Sequence, residues 1–131
     1  REYIEQNCAA TFFCAMIESR QALNDLEKIC ALSGIDALLI GPNDLTVSMG
    51  IPEERDHLEF VAAVQRVVDI SEKYGIAAGA HFSRPCQAQR LINQGGRFIP
   101  FSNDLLMLQS GITGFLGELR GEVGESREKI I

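Results

Sequence analysis

No lysine- or arginine-rich run occurs in this 131-residue sequence, and the charge balance leans the other way: 12 Lys and Arg against 18 Asp and Glu give a formal net charge of −6. A surface for nucleic acid or anionic lipid is thereby excluded. No apolar stretch approaches the roughly 18 residues needed to span a bilayer. The opening residues, Arg1-Glu2-Tyr3-Ile4-Glu5-Gln6, lack the pattern of a secretory signal. Among Cys8, Cys14, Cys30 and Cys86 there is no C-x-x-C pair, the spacing of redox and zinc sites. Three of the four sit in apolar-periodic segments, where a thiol packs as a small hydrophobe. Reduced, mostly buried thiols and a cytoplasmic location are the expectation. What the chain does have is core-forming material: 46% of its residues are hydrophobic, which suits one folded domain rather than disorder.

Apolar periodicity divides the chain into alternating elements. Glu2–Asn7 reads as the tail of a helix and Thr11–Ile17 as a strand. Arg20–Leu32 reads as a helix, with Ala22, Leu23, Leu26, Ile29 and Cys30 at spacings of three and four and Gly34 as a stop. Ala37–Ile40 is a short, wholly apolar strand of the kind found in parallel sheets covered on both faces. Gly41-Pro42 ends it, and a loop with one short helical turn runs from Asn43 to about Asp56. Leu58–Tyr74 is an amphipathic helix whose buried stripe is Phe60, Val61, Val64, Val67, Val68 and Ser71. Strand Ile76–Ala80, helix Pro85–Asn93, strand Arg97–Phe101 and helix Asp104–Leu119 complete the pattern. Arg120–Ile131 reads as a flexible tail or an arm that docks on a neighbour.

Alternating β and α means parallel strands joined by right-handed crossovers. Four such units are too few to close a (β/α)8 barrel, which takes about 250 residues. Both outer strands would then be unpaired. The chain is either a small doubly wound sheet or half of a barrel.

Two acids follow two of the strands: Glu18 after Thr11–Ile17, and Asp44 after Ala37–Ile40. In a parallel sheet both emerge on the same edge, and neighbouring strands lie about 4.8 Å apart. Hard oxygen ligands at that spacing suit Mg²⁺ or Mn²⁺, with water or substrate oxygens completing the coordination. The plainer reading makes Glu18 a helix cap and Asp44 the cap of the next turn. Gly41-Pro42-Asn43-Asp44 permits close backbone approach, fixes φ and starts a turn, and its N–H groups can cradle a carboxylate. His81 ends the third strand on the same edge, where it can hold substrate, shuttle a proton, or be a hydrogen-bonded histidine without a part in chemistry. Arg84 follows the same strand end, within reach of an anionic substrate. His57 reads as solvated surface.

Met16-Ile17-Glu18-Ser19-Arg20-Gln21-Ala22, followed by Gly34-Ile35-Asp36-Ala37-Leu38-Leu39-Ile40-Gly41-Pro42-Asn43-Asp44-Leu45, closely resembles the HpcH/HpaI aldolase/citrate-lyase family. The likeness runs roughly from Tyr3 to Leu119. It implies an α/β chain forming the C-terminal half of a (β/α)8 TIM barrel, strands five to eight, with residues 1–119 as the half-barrel domain and 120–131 as the tail. It implies a divalent-metal-dependent carbon–carbon lyase that cleaves a 4-hydroxy-2-oxo acid to pyruvate and an aldehyde. The metal, Mg²⁺, Mn²⁺ or Co²⁺, would sit on Glu18 and Asp44 as a Lewis acid. Gly41, Pro42, Asn43, Asp44 and His81 would contact substrate, and the protein would be a homo-oligomer.

This chain has Asn43 where relatives often carry Ala, and Ser19 where they carry Thr. The family's catalytic His and its Arg match no segment here, so the chain alone is expected to be inactive. Two other readings stay open: a homodimer whose copies complete one barrel, and a non-catalytic α/β module that binds metal or ligand for regulation.

Overall fold

Short parallel strands form where the sequence is apolar and rich in Ala, Ile and Leu. In the computed structural model these are β1 (Cys14–Ile17), β2 (Ala37–Ile40) and β3 (Ala77–Ala80), in the order β1-β2-β3. The structure describes residues 1–121, apart from the side chains of Ile4, Glu5 and Ala9. The helices are α1 (Glu2–Ala10), α2 (Arg20–Asn24), α3 (Leu26–Cys30), α4 (Pro42–Ser48), α5 (Leu58–Lys73), α6 (Pro85–Asn93) and α7 (Asp104–Leu119). Two compact units result, Arg1–Phe101 and a second beginning at Ser102. The tail expected at 120–131 lies, from residue 122 on, outside the described residues.

In the first unit the register aligns Ile17 with Ile40 and Ile40 with Ala80. Alternation then splits the sheet. Ile17, Leu38, Ile40, Ala78 and Ala80 join one core with Leu23, Leu26, Phe60, Val64, Val67, Val68 and Leu91 of the helices. The other face is open at β1, where Met16 is 52% exposed. β2 itself has no exposed residue, in keeping with a strand covered on both faces. Away from the helices it carries Leu39, half-buried, and Ala37, fully buried.

α5 forms as its stripe requires, with Phe60, Val64, Val67, Val68 and Ser71 all buried. The helix expected over Arg20–Leu32 is broken at Asp25, which sits at φ −93°, ψ 9°. Asn24 and Asp25 compete for local hydrogen bonds and weaken a helix interior. The short helical turn expected within the loop from Asn43 is α4, which starts one residue earlier with Pro42 in its first turn, where a missing N–H costs nothing.

The fourth expected strand, Arg97–Phe101, is reduced to two isolated parallel bridges, Gly79 to Phe98 and Phe82 to Phe101. Pro100 has no N–H to donate to a ladder. The chain at Phe98 also crosses over Gly79: a Cβ there would lie 1.5 Å from the Phe98 carbonyl oxygen. The Phe98 ring meets Phe12, from the segment before β1, at a centroid distance of 5.6 Å.

All four thiols are free, but only Cys30 is buried. Cys14 is half-buried, and Cys8 and Cys86 are exposed at short or terminal helices. Burial pushes the Cys14 and Cys30 thiols up from their ordinary pKa. In the second unit α7 is capped by the Asn103 side chain, which accepts from the Leu106 N–H at 2.9 Å, and no residue of the helix is buried.

Candidate functional site

Extending the strand register by one residue places Glu18, Gly41 and His81 in a row across the C-terminal edge of the sheet. The Gly41 N–H donates to the Ile17 carbonyl at 3.1 Å, so the ladder continues into this row. By alternation the row belongs to the open face. Gly41 must be small here. A Cβ on it would meet Glu18 Cβ at 3.2 Å and Glu18 Oε2 at 3.4 Å. The Glu18 carboxylate thus lies against the start of α4, whose first turn carries Asp44. Both acids are exposed, as is His81.

Neither acid caps a helix. Ser19 caps α2, its hydroxyl accepting from the Ala22 N–H at 3.1 Å, and Gly41 is the cap residue of α4. Among the described residues no hydrogen bond or ion pair engages Glu18 or Asp44, so their oxygens are available. No group of three or more His, Cys, Asp or Glu side chains gathers to hold a metal among the described residues. Two carboxylates with the remaining positions left to water and substrate are the donor set that Mg²⁺ accepts. The residues therefore fit a hard divalent cation and do not fit a closed structural zinc site.

Three residues that sequence reasoning missed hold this edge in place. Thr46 is wholly buried in α4. Its Oγ1 donates to the Asn43 carbonyl at 2.8 Å and accepts from the Glu53 N–H at 3.3 Å, which ties the following loop back onto the helix. Arg55 donates from Nη2 to Asn43 Oδ1. Arg20 reaches Met49 and Glu59. His57 is exposed as expected, and it also serves the fold, since its Nδ1 accepts from the Glu59 N–H at 3.2 Å and caps α5. Arg84 stands at the cap position of α6.

Two cavities lie away from this edge. One of about 30 Å³, room for a water or two, is lined by Arg55, Phe60, Phe82 and Arg90 among others. Another of about 290 Å³ sits beside Ser71, Glu72, Ile76 and Arg97, near the start of β3. Neither touches Glu18, Asp44 or His81.

A sequence model of HpcH/HpaI aldolase/citrate lyase matches residues 2–109. The chain belongs to the HpcH/HpaI family. It is 33% identical over 120 residues to a hydroxypyruvate/pyruvate aldolase of Paraburkholderia phytofirmans, covering 92% of this chain and 46% of that protein. It is 32% identical over 114 residues to a 2-keto-3-deoxy-L-rhamnonate aldolase of Shigella dysenteriae, covering 84% of this chain and 41% of that one. A crystal structure of an HpcH/HpaI aldolase/citrate lyase family protein from Burkholderia cenocepacia superposes with a TM-score of 0.85 at 28% identity, over 92% of this chain and 47% of that chain. The chain thus spans somewhat under half the length of these HpcH/HpaI relatives. Among its described residues no helix is long and apolar enough to cross a membrane.

Proposed function

We propose that this chain supplies the metal-binding and 2-oxo-acid-binding edge of a divalent-metal-dependent aldolase. The reaction is cleavage of a 4-hydroxy-2-oxo acid to pyruvate and an aldehyde. The observation that carries this reading is the row Glu18, Gly41 and His81 at the ends of three parallel strands, with Asp44 in the helical turn that starts at its middle. Membership of the HpcH/HpaI family supports it, as do relatives named as aldolases. In this reading the strands are numbers five to eight of a barrel, the fourth represented by the bridged segment at Phe98 and Phe101.

Glu18 and Asp44 are the ligands, and Mg²⁺, Mn²⁺ or Co²⁺ suits them. Bound there, the cation supplies Lewis acidity toward the carboxylate and keto oxygens of the 2-oxo acid. Gly41 and Pro42 leave room for the substrate, and the amides of Asn43 and Asp44 hold its carboxylate. Cleavage breaks the C3–C4 bond. The 4-hydroxyl loses its proton as the aldehyde C=O forms, the electron pair passes to the enolate of pyruvate, and C3 then takes up a proton. His81 is this chain's own candidate for holding the substrate or moving one of those protons. The family's His base and its Arg match no segment of these residues, so the chain alone binds metal and 2-oxo acid without turnover. The protein containing it works as a homo-oligomer.

The test is a titration of the chain with Mg²⁺ or Mn²⁺ while its thermal midpoint is followed. A specific site adds stability by mass action, about 2.7 kcal/mol when the ion stands at a hundred times its Kd. Glu18→Ala and Asp44→Ala should each abolish the shift. Variants that respond to metal as the parent does would remove both residues from the site.

A further inference from the structure

We propose that Arg20 is a positioning residue that sets the geometry of the acid pair before any ion arrives. The proposal rests on the reading that Glu18 and Asp44 share a cation. α4, which carries Asp44, has only 7 residues. A helix that short does not hold itself by its own hydrogen bonds. Its first end is tied to β1 by the bond from the Gly41 N–H to the Ile17 carbonyl, 3.1 Å. Its far end is tied by Arg20. The Arg20 backbone N–H donates to Ser48 Oγ at 3.0 Å, and its Nη2 donates to the Met49 carbonyl at 2.6 Å. Nη1 donates to Glu59 Oε1 at 2.8 Å, in the first turn of α5.

The sequence positions make this a clamp on the site. Arg20 comes two residues after Glu18, and Ser48 comes one helical turn after Asp44. The residue just beyond one ligand therefore grips the far end of the helix that carries the other. The two halves of the grip differ. The pair with Glu59 is half exposed, with side-chain accessibilities of 51% and 47%, so solvent screens it and it adds little stability. The bond to the Met49 carbonyl is part-buried and charge-assisted, and it occupies a helix-end carbonyl that has no partner within the helix. One planar guanidinium serves both acceptors at once, which an ammonium does not. Without it α4 is free to shift at its C-terminal end, and ordering Asp44 against Glu18 becomes a cost of binding the ion. Loss of partners that orient ligands typically weakens metal affinity by about 10- to 100-fold.

The test compares Arg20→Gln, Arg20→Lys and Glu59→Gln with the parent 131-residue chain. Two quantities are read: Mn²⁺ affinity by calorimetry, and hydrogen exchange of the Leu45 to Met49 amides without metal. Arg20→Gln should weaken Mn²⁺ binding about tenfold and speed exchange across α4 while the strand amides keep their protection. Arg20→Lys should fall between, and Glu59→Gln should stay close to the parent. If the parent binds no Mn²⁺, the shared-cation reading fails and the clamp is judged on exchange alone. Unchanged α4 exchange in Arg20→Gln would overturn the clamp. Faster exchange with undiminished Mn²⁺ affinity would overturn its role toward the acids.

Discussion

The two faces of the sheet are built from alternate residues of the same three strands, yet they differ at β1 and along the C-terminal edge. On the helix-covered face Ile17, Leu38, Ile40, Ala78 and Ala80 are no more than 3% exposed. On the other face Met16 is half exposed, and the row that continues it ends in Glu18 and His81. Packing accounts for the first face: branched and small apolar side chains fill the space between strands and helices at interior density. Packing does not account for the second, where a histidine and carboxylates that no described residue engages stand at an edge over a glycine. One register thus yields a side that makes the fold stable and a side whose edge carries the proposed site.

Substitution on the two faces should break this contrast if it is wrong. Leu38→Ala removes a fully buried side chain and should cost about 4 kcal/mol, read by urea unfolding. Met16→Ala, on the open face, should cost under about 1 kcal/mol. Equal losses would mean that both faces are packed. Gly79→Ala sharpens the comparison, because the open face is not uniformly tolerant. Its new methyl would meet the Phe98 carbonyl and force the crossing chain away, at about 3 kcal/mol. A neutral result would show that Phe98 does not cross Gly79. The smallest contrast is between neighbours. Ser19→Ala removes the α2 cap and should cost about 1 kcal/mol. Glu18→Ala should leave metal-free stability unchanged, since no described residue engages that carboxylate.

The elements that could be read directly from the sequence were those with a strong local signal. α5 carries its buried stripe at helical spacing, β2 is a pure apolar run between turn signals, and α6 begins at Pro85, a residue suited to a helix's first turn. Misread elements were those decided by context. Pro100 and the crossing over Gly79 leave Arg97–Phe101 as bridges rather than a strand. The Asn24-Asp25 pair breaks one helix into two. At the candidate site, the position of each acid after a strand and the family signature single out Glu18 and Asp44 as candidates. Arg20 is not among them, because its partners Met49 and Glu59 lie 29 and 39 residues away and no local pattern encodes such contacts. Arg55 and its partner Asn43, 12 residues apart, were hidden for the same reason.

Everything proposed for the site depends on Glu18 and Asp44, at one edge of the sheet, holding a common cation. Paramagnetic broadening of amide signals by substoichiometric Mn²⁺ probes this without an intermediary. Signals of Ile17 to Ser19, Gly41 to Leu45 and His81 should broaden first, α1 and the start of β3 should stay sharp, and Glu18→Ala or Asp44→Ala should remove the effect. Broadening centred on another acidic cluster, such as Asp25 and Glu27, or surviving both substitutions, would show that the two acids do not share an ion.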